Sequence, residues 1–246
     1  MTDLLSRFED NINVAVIGAS GGIGSALVQK LEGYPKINNL YLFSRSRPDH
    51  VPDNAQFHEI DVTNEDSVQS CADQIDGKLH IVIGAIGILH EGDVHPEKSL
   101  RDINFSNFQH IFATNTFGPA LVMKHFLPKM DRDIPTSFAF LSARVGSISD
   151  NEIGGWYAYR ASKAALNMLI KNASIEVGRR NKKISIIGLH PGTVDTNLSK
   201  PFQGNVPEHK LFTAHYAAEC LLNVINEKDE TQTGLCFDWD GKAIEP

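Results

Sequence analysis

Short runs of apolar residues recur along the chain. Each is followed by a longer stretch in which apolar positions return every three or four residues. Val14-Ala15-Val16-Ile17, Leu40-Tyr41-Leu42-Phe43, Leu79-His80-Ile81-Val82-Ile83, Phe138-Ala139-Phe140-Leu141 and Ile184-Ser185-Ile186-Ile187-Gly188-Leu189 are near-continuous. That is the pattern of strands covered on both faces. Phe57-His58-Glu59-Ile60 is a shorter third run in chain order, and Leu235-Cys236-Phe237 makes a seventh. Helical patterns fall between the runs, at about 22–32, 64–75, 100–129, 156–179 and 207–226. Alternation of this kind predicts an α/β fold, a doubly wound parallel sheet of about seven strands with helices on both faces.

No repeat or linker divides the 246 residues, so the chain reads as one domain over 1–246. Pro201, Gly204 and Pro207 mark an exposed loop between Ser199 and Pro207. With 41% hydrophobic and 22% charged residues, a core can form without disulfide or metal. Cys71, Cys220 and Cys236 are far apart, and the ten histidines show no paired ligand spacing, so no metal site is expected. A net charge of −7 argues against a nucleic-acid partner. The amino-terminal MTDLLSRFEDN lacks the basic and long apolar regions of a secretory signal, and no apolar run is long enough to span a bilayer. The cytoplasm is the expected compartment.

Gly18-Ala19-Ser20-Gly21-Gly22-Ile23-Gly24 joins the first strand directly to the first helix. Bare backbone at that junction lets a pyrophosphate approach the helix amides. Next to the ribose of NAD(H) an acidic residue usually follows the second strand. Here that strand runs out into Phe43-Ser44-Arg45-Ser46-Arg47, with no carboxylate. Arg45 can pair with a 2′-phosphate and Ser44 can add a hydrogen bond, which favours NADP(H); the alternative is a solvated loop arginine. Asp61 either accepts from the adenine amino group or opens the next helix.

Tyr159 and Lys163 lie four apart in the helical stretch after the fifth run, which puts them on one face. An ammonium there favours phenolate, and suits the tyrosine to giving and taking a proton at a carbonyl oxygen. Tyr157 has Ala161 four positions on and no partner lysine.

These motifs resemble the short-chain dehydrogenase/reductase family, whose fold is a Rossmann fold, and the resemblance runs along nearly the whole chain. Gly18, Gly22 and Gly24 match its Gly-x-x-x-Gly-x-Gly loop, and Tyr159 and Lys163 its Tyr-x-x-x-Lys motif. Asn115 looks like the asparagine that holds a proton-relay water. Pro191-Gly192-Thr193-Val194-Asp195-Thr196 resembles the segment after strand six. The resemblance implies that Ser20, Ile23, Val62, Ala85, Pro191, Gly192, Val194 and Thr196 approach the cofactor. It implies a carbonyl or alcohol substrate, a covering loop at 198–211, and a homodimer or homotetramer. Ser-Ala-Arg-Val-Gly-Ser-Ile (142–148) and Phe237-Asp238-Trp239 look like the C-factor and sniffer-type carbonyl-reductase group.

Three departures stand out. Ile17 replaces a threonine before the loop, and Gly84-Ala85-Ile86-Gly87 replaces Asn-Asn-Ala-Gly. The family's catalytic serine falls on Ala143, with Ser142 one residue before it and Ser147 just past Gly146. Ser142 is favoured because it ends a buried strand, and Ser147 is its rival. His190 lines the nicotinamide pocket or packs at a strand end. Trp156 and Trp239 line the substrate site or pack in core or interface. Phe105, Phe108, Phe112 and Phe117 are read as core and subunit contacts. The alternative to catalysis is a nucleotide-binding signalling protein with little turnover.

Overall fold

The structure, a computed structural model, describes residues 4–246; the first three residues of the amino-terminal stretch lie outside the described residues. Six strands lead the fold: β1 (Ile12–Ile17), β2 (Ile37–Ser44), β3 (Ala55–Glu59), β4 (Ile81–Gly84), β5 (Thr136–Leu141) and β6 (Ile184–His190). Two short strands, β7 (Thr193–Val194) and β8 (Leu211–Phe212), pair with each other, and β9 (Cys236–Asp238) completes the main sheet. That sheet has seven strands in the order β3-β2-β1-β4-β5-β6-β9, all parallel.

Side chains alternate strictly across the sheet. Val14, Val16, Leu40, Leu42, Ile81, Ile83 and Ile187 face one layer, against α1 (Gly22–Leu31) and α6 (Ala214–Glu227). Ala15, Ile17, Tyr41, Phe43, Val82, Phe138 and Ile186 face the other, against α2 (Glu65–Asp73), α4 (Gly118–Phe126) and α5 (Tyr157–Val177). Each fully buried aliphatic side chain contributes about 1.5–3 kcal/mol, so two such layers account for the near-continuous apolar runs. The strand order reverses direction between β1 and β4, which opens a crevice at their carboxyl ends, the usual ligand position in such sheets.

Two expected helices differ. The stretch 100–129 is not one helix. Asn104 accepts from the backbone N–H of Ser106 and Asn107, starting α3 at Phe105 and ending it at Phe112. A π-helical turn, Ala113–Phe117, then leads into α4. The stretch 207–226 becomes helical only at Ala214, where the Thr213 hydroxyl caps Tyr216 N–H. Before it, Leu211 and Phe212 pair with Thr193 and Val194. In the aromatic row on α3 and the π turn, Phe105 and Phe117 are exposed and Phe108 and Phe112 half-buried, so none of the four lies fully in the core. Phe108 and Phe112 stack with ring centroids 6.1 Å apart, and Phe117 meets Phe112 at a tilt, 6.3 Å away.

Candidate active site

The glycine loop is shaped by close backbone approach. Gly18 N–H donates to Phe43 O at 2.7 Å, and Ala85 N–H to Ile17 O at 2.7 Å, which fastens β1 between its neighbours. A Cβ on Gly24 would lie 2.0 Å from Gly18 O, and one on Gly22 would lie 2.6 Å from Thr196 Cγ2. Only glycine fits at either position without displacement. The loop delivers the chain to α1, whose N-cap is Gly21, with no side-chain cap and no acidic residue in the first turn. Its first amides and its dipole are therefore open to an anion. Ile23 and Ala85 pack half-buried beside the core at this end.

Along the rest of the crevice the expected residues divide. Arg45 is exposed and pairs with Glu91. Ser44 is buried and donates to Ser46 O at 2.7 Å, so its proton is committed inside the turn. The hydroxyls that meet at the loop are Ser46 and Ser20, 3.4 Å apart. Asp61 Oδ1 accepts from Thr63 N–H at 2.9 Å and its hydroxyl at 2.7 Å, the helix-opening turn. Val62 fills the space beside Gly118, where a Cβ would meet it at 2.9 Å. Gly84 has an equally direct cause. The ring of Phe140 would lie 2.2 Å from its Cβ, so phenylalanine occupies the room of the missing asparagine brace.

Tyr159 and Lys163 rise from the first turns of α5, 8% and 2% exposed. Lys163 Nζ sits 5.8 Å from the Tyr159 ring centroid and donates to Leu141 O at 2.9 Å. Burial pushes the tyrosine up to about 12 and the lysine down to about 8. In this state desolvation outweighs the mutual stabilisation expected of the pair. Gly87 shows how tightly the site converges: a Cβ there would lie 3.2 Å from Lys163 Nζ and 3.6 Å from Asn115 Oδ1. Asn115 is fully buried in the π turn. Its side chain exchanges two 2.8 Å hydrogen bonds with the Ile88 backbone and donates to Ser162 Oγ at 3.2 Å. Both amide protons are thus spent on structure, and Asn115 pins the strand β4 exit against α5.

Neither serine meets Tyr159. Ser142 donates to Asn167 Oδ1 at 2.6 Å. Ser147 accepts from Asp150 N–H at 3.1 Å and lies 3.4 Å from Ser149 Oγ. Ser149 gives its own proton to Pro246 O, so the Ser147 proton is the less committed of the two.

Beyond β6, Gly192 adopts φ +76°, and the segment to Thr196 folds back until Thr196 touches Gly22. Pro191 and Val194 lie within this return, Val194 buried. Beside it opens a cavity of about 540 Å³ lined by Arg144, His190, Phe212, Tyr216 and Trp239, among others. Arg144 is held by Asp238 and by Asp150. Burial holds the His190 imidazole at about 4, so it is neutral at working pH. A larger groove, about 900 Å³, runs between α4 and α5 and contains none of the expected site residues. Trp156 packs edge-on to Tyr159 and Phe202, with centroids 6.2 and 5.1 Å away. Sequence reasoning missed Glu97, Asn167 and Glu91, whose partners lie far along the chain and carry no local signal.

The family model for short chain dehydrogenases matches residues 13–206. This chain belongs to that family. It is 31% identical over 189 residues to a 1-hydroxy-2-glutathionyl-2-methyl-3-butene dehydrogenase of Rhodococcus sp., covering 76% of this chain and 78% of that one. It is 31% identical over 146 residues to the C-signal of Myxococcus xanthus, covering 59% and 82%. The carbonyl reductase Sniffer of D. melanogaster shares the fold at a TM-score of 0.82, with 23% identity, covering 97% of this chain and 100% of that one. The chain is therefore an oxidoreductase of a family that uses a nicotinamide cofactor. Among the described residues no helix is long and apolar enough to cross a membrane.

Proposed function

We propose that this short chain dehydrogenase is an NADP(H)-dependent carbonyl reductase or alcohol dehydrogenase. The observation that carries this reading is the convergence of Lys163 and Asn115 on Gly87, with the Tyr159 ring centroid 5.8 Å from Lys163 Nζ. The crevice suits a dinucleotide. The uncapped end of α1 would hold the pyrophosphate, with Gly18, Ser20, Gly22, Ile23 and Gly24 around it. Arg45 would meet a 2′-phosphate. Asp61, Val62 and Ala85 would flank the adenosine, and Pro191, Gly192, Val194 and Thr196 the carboxamide. When bound, the reduced nicotinamide supplies a hydride to the carbonyl carbon.

Tyr159 is protonated over the working pH range and gives its proton to the carbonyl oxygen. Lys163, charged below about 8, offsets the phenolate that forms and holds the ribose. Ser147 polarises the oxygen in preference to Ser142, because its proton is free to turn. Asn115 fixes Ile88 and with it the adjoining Gly87 beside Lys163, and any relay water would be held by main chain there. Substrate enters by the cavity at His190 and Trp239. The loop 198–211 covers it, supported by the edge-on packing of Phe202 against Trp156. The same reading has the protein work in the cytoplasm as a homodimer or homotetramer; exposed Phe105, Phe117, Met168 and Ile175 supply apolar surface for that contact.

The test is to titrate NADPH by fluorescence and assay an aldehyde and ketone panel with wild type and Tyr159→Phe. Loss of roughly 10²–10⁴-fold in turnover on substitution is expected for a general acid. A second reading, a nucleotide-binding regulatory protein, is favoured by Ala143 at the serine position and by the likeness to C-signal. Tight NADPH binding with no Tyr159-dependent turnover would establish it instead.

A further inference from the structure

An arginine after β2 selects for a 2′-phosphate only as far as its charge is free to meet one. Arg45 is not free. Glu91 Oε1 lies 3.4 Å from Arg45 Nη2, and Glu91 Oε2 lies 2.7 Å from His110 Nε2 on α3. The three side chains form a bridge from the end of β2 to the helical run that continues into Gly118, the residue packed on Val62. The bridge therefore runs along the adenosine half of the crevice.

Glu91 is held in place by its own backbone. Its N–H donates to Val94 O at 3.1 Å, and Val94 N–H returns a bond to Glu91 O at 2.9 Å. Three residues earlier, Asn115 clamps Ile88 by two bonds. His90 is anchored in another direction, with Nε2 3.1 Å from Asn197 O and its ring 5.7 Å from Phe202. The carboxylate is thus fixed beside Arg45 by a loop tied down on both sides. Hydrogen bonding from His110, and the nearby Arg45, hold its carboxyl below the usual carboxylate range, so it is ionised at neutral pH.

We infer that Glu91 is a selectivity residue acting against the 2′-phosphate, so that discrimination between NADP(H) and NAD(H) is weaker than Arg45 alone would produce. A 2′-phosphate approaching Arg45 must share the guanidinium with Glu91 and stand near a like charge. A 2′-hydroxyl leaves the ion pair intact and meets no repulsion. Both side chains are substantially exposed, 70% and 42%, so the effect is screened. A single like-charge contact of this kind in water corresponds to roughly a five- to tenfold change in affinity.

This inference rests on the NADP(H) reading, and the experiment separates the two. Dissociation constants for NADPH and NADH are measured by fluorescence on the full chain, for wild type, Arg45→Ala and Glu91→Gln. Each is repeated at low salt and at about 0.5 M salt. Glu91→Gln is expected to tighten NADPH roughly five- to tenfold at low salt, with NADH unchanged within about twofold and the gain shrinking at high salt. If Glu91→Gln weakens NADPH, or shifts both cofactors equally, the carboxylate is a loop strut and the inference is overturned. If Arg45→Ala leaves the NADPH to NADH ratio unchanged, the NADP(H) reading itself fails, and the inference with it. If Arg45→Ala collapses that ratio while Glu91→Gln leaves it alone, only the inference fails.

Discussion

The Ser142 hydroxyl donates to Asn167 Oδ1 at 2.6 Å, one helical turn beyond Lys163, and the Cys236 thiol donates to the same oxygen at 3.0 Å. Asn167 Oδ1 therefore ties the end of β5 and the start of β9 to α5. Ser142→Ala removes one neutral hydrogen bond, so a stability loss of about 1 kcal/mol is expected in urea denaturation, with kcat changed less than threefold. Ser147→Ala loses the bond from Asp150 N–H and should cost a similar amount in stability, but it is expected to lower kcat about 10²-fold. Reversal of that pattern would return the polarising role to Ser142.

Thr196 and Gly22 are in contact across the crevice, and the contact is steric. A Cβ on Gly22 would lie 2.6 Å from Thr196 Cγ2, the end of a short side chain. Gly22→Ala is expected to weaken NADPH binding at least about tenfold by pushing the returning segment off the loop. Thr196→Ser deletes the clashing methyl, so the double variant should recover most of that affinity. Fluorescence titration of the four proteins checks it. Gly24→Ala should not be rescued in this way, because its obstacle is the Gly18 carbonyl at 2.0 Å.

The strands were readable from the chain because their residues are buried on both sides: all six positions of β1 and of β5 are buried. Where a side chain's partner is distant, pattern is silent. The π turn in the long helix coincides with Asn115 bonding to Ile88, and nothing near residue 115 in the chain signals it. Arg45 was identifiable by position, whereas Glu91 comes to it across 46 residues. Ser44 misleads in the opposite way. Its place at the strand end is right for a phosphate ligand, but Ser46 O captures its proton two residues on. The pair of Tyr159 and Lys163 was legible from spacing, yet its electrostatics were not, since the lysine shift comes mainly from burial.

That burial makes a pH prediction. Lys163 falls from 10.5 to about 8, so it is charged below that value and neutral above it. The profile of kcat/KM for carbonyl reduction reports the free protein and should fall as pH rises through about 8. Tyr159, at about 12, remains protonated throughout and does not set this limb. Lys163→Arg should abolish the limb even where it lowers the plateau. A wild-type profile flat to about pH 9.5 would assign the lysine no electrostatic role. Stability moves the other way. The unfolded chain holds this proton more tightly, so the folded state gains stability as pH rises from about 8 towards 10.5.

Glu97 closes the amino end of the helix that carries Tyr159. Its Oε2 accepts from Ala158 N–H at 3.1 Å and its main-chain oxygen from Trp156 N–H at 2.6 Å. Trp156 sits there in the left-handed region, φ +52°, with its ring against Tyr159. A buried carboxylate at a helix amino end satisfies orphan amides and complements the dipole, a contribution of about 1–2 kcal/mol. Glu97→Ala is expected to cost that much in urea denaturation and to lower kcat roughly tenfold, because a small shift of Tyr159 spoils its alignment with the carbonyl oxygen. Glu97→Gln keeps an acceptor for Ala158 N–H and loses only the charge, so it should fall between wild type and Glu97→Ala in both measurements. If Glu97→Ala lowered stability with kcat untouched, the cap would hold the helix without setting the position of the tyrosine.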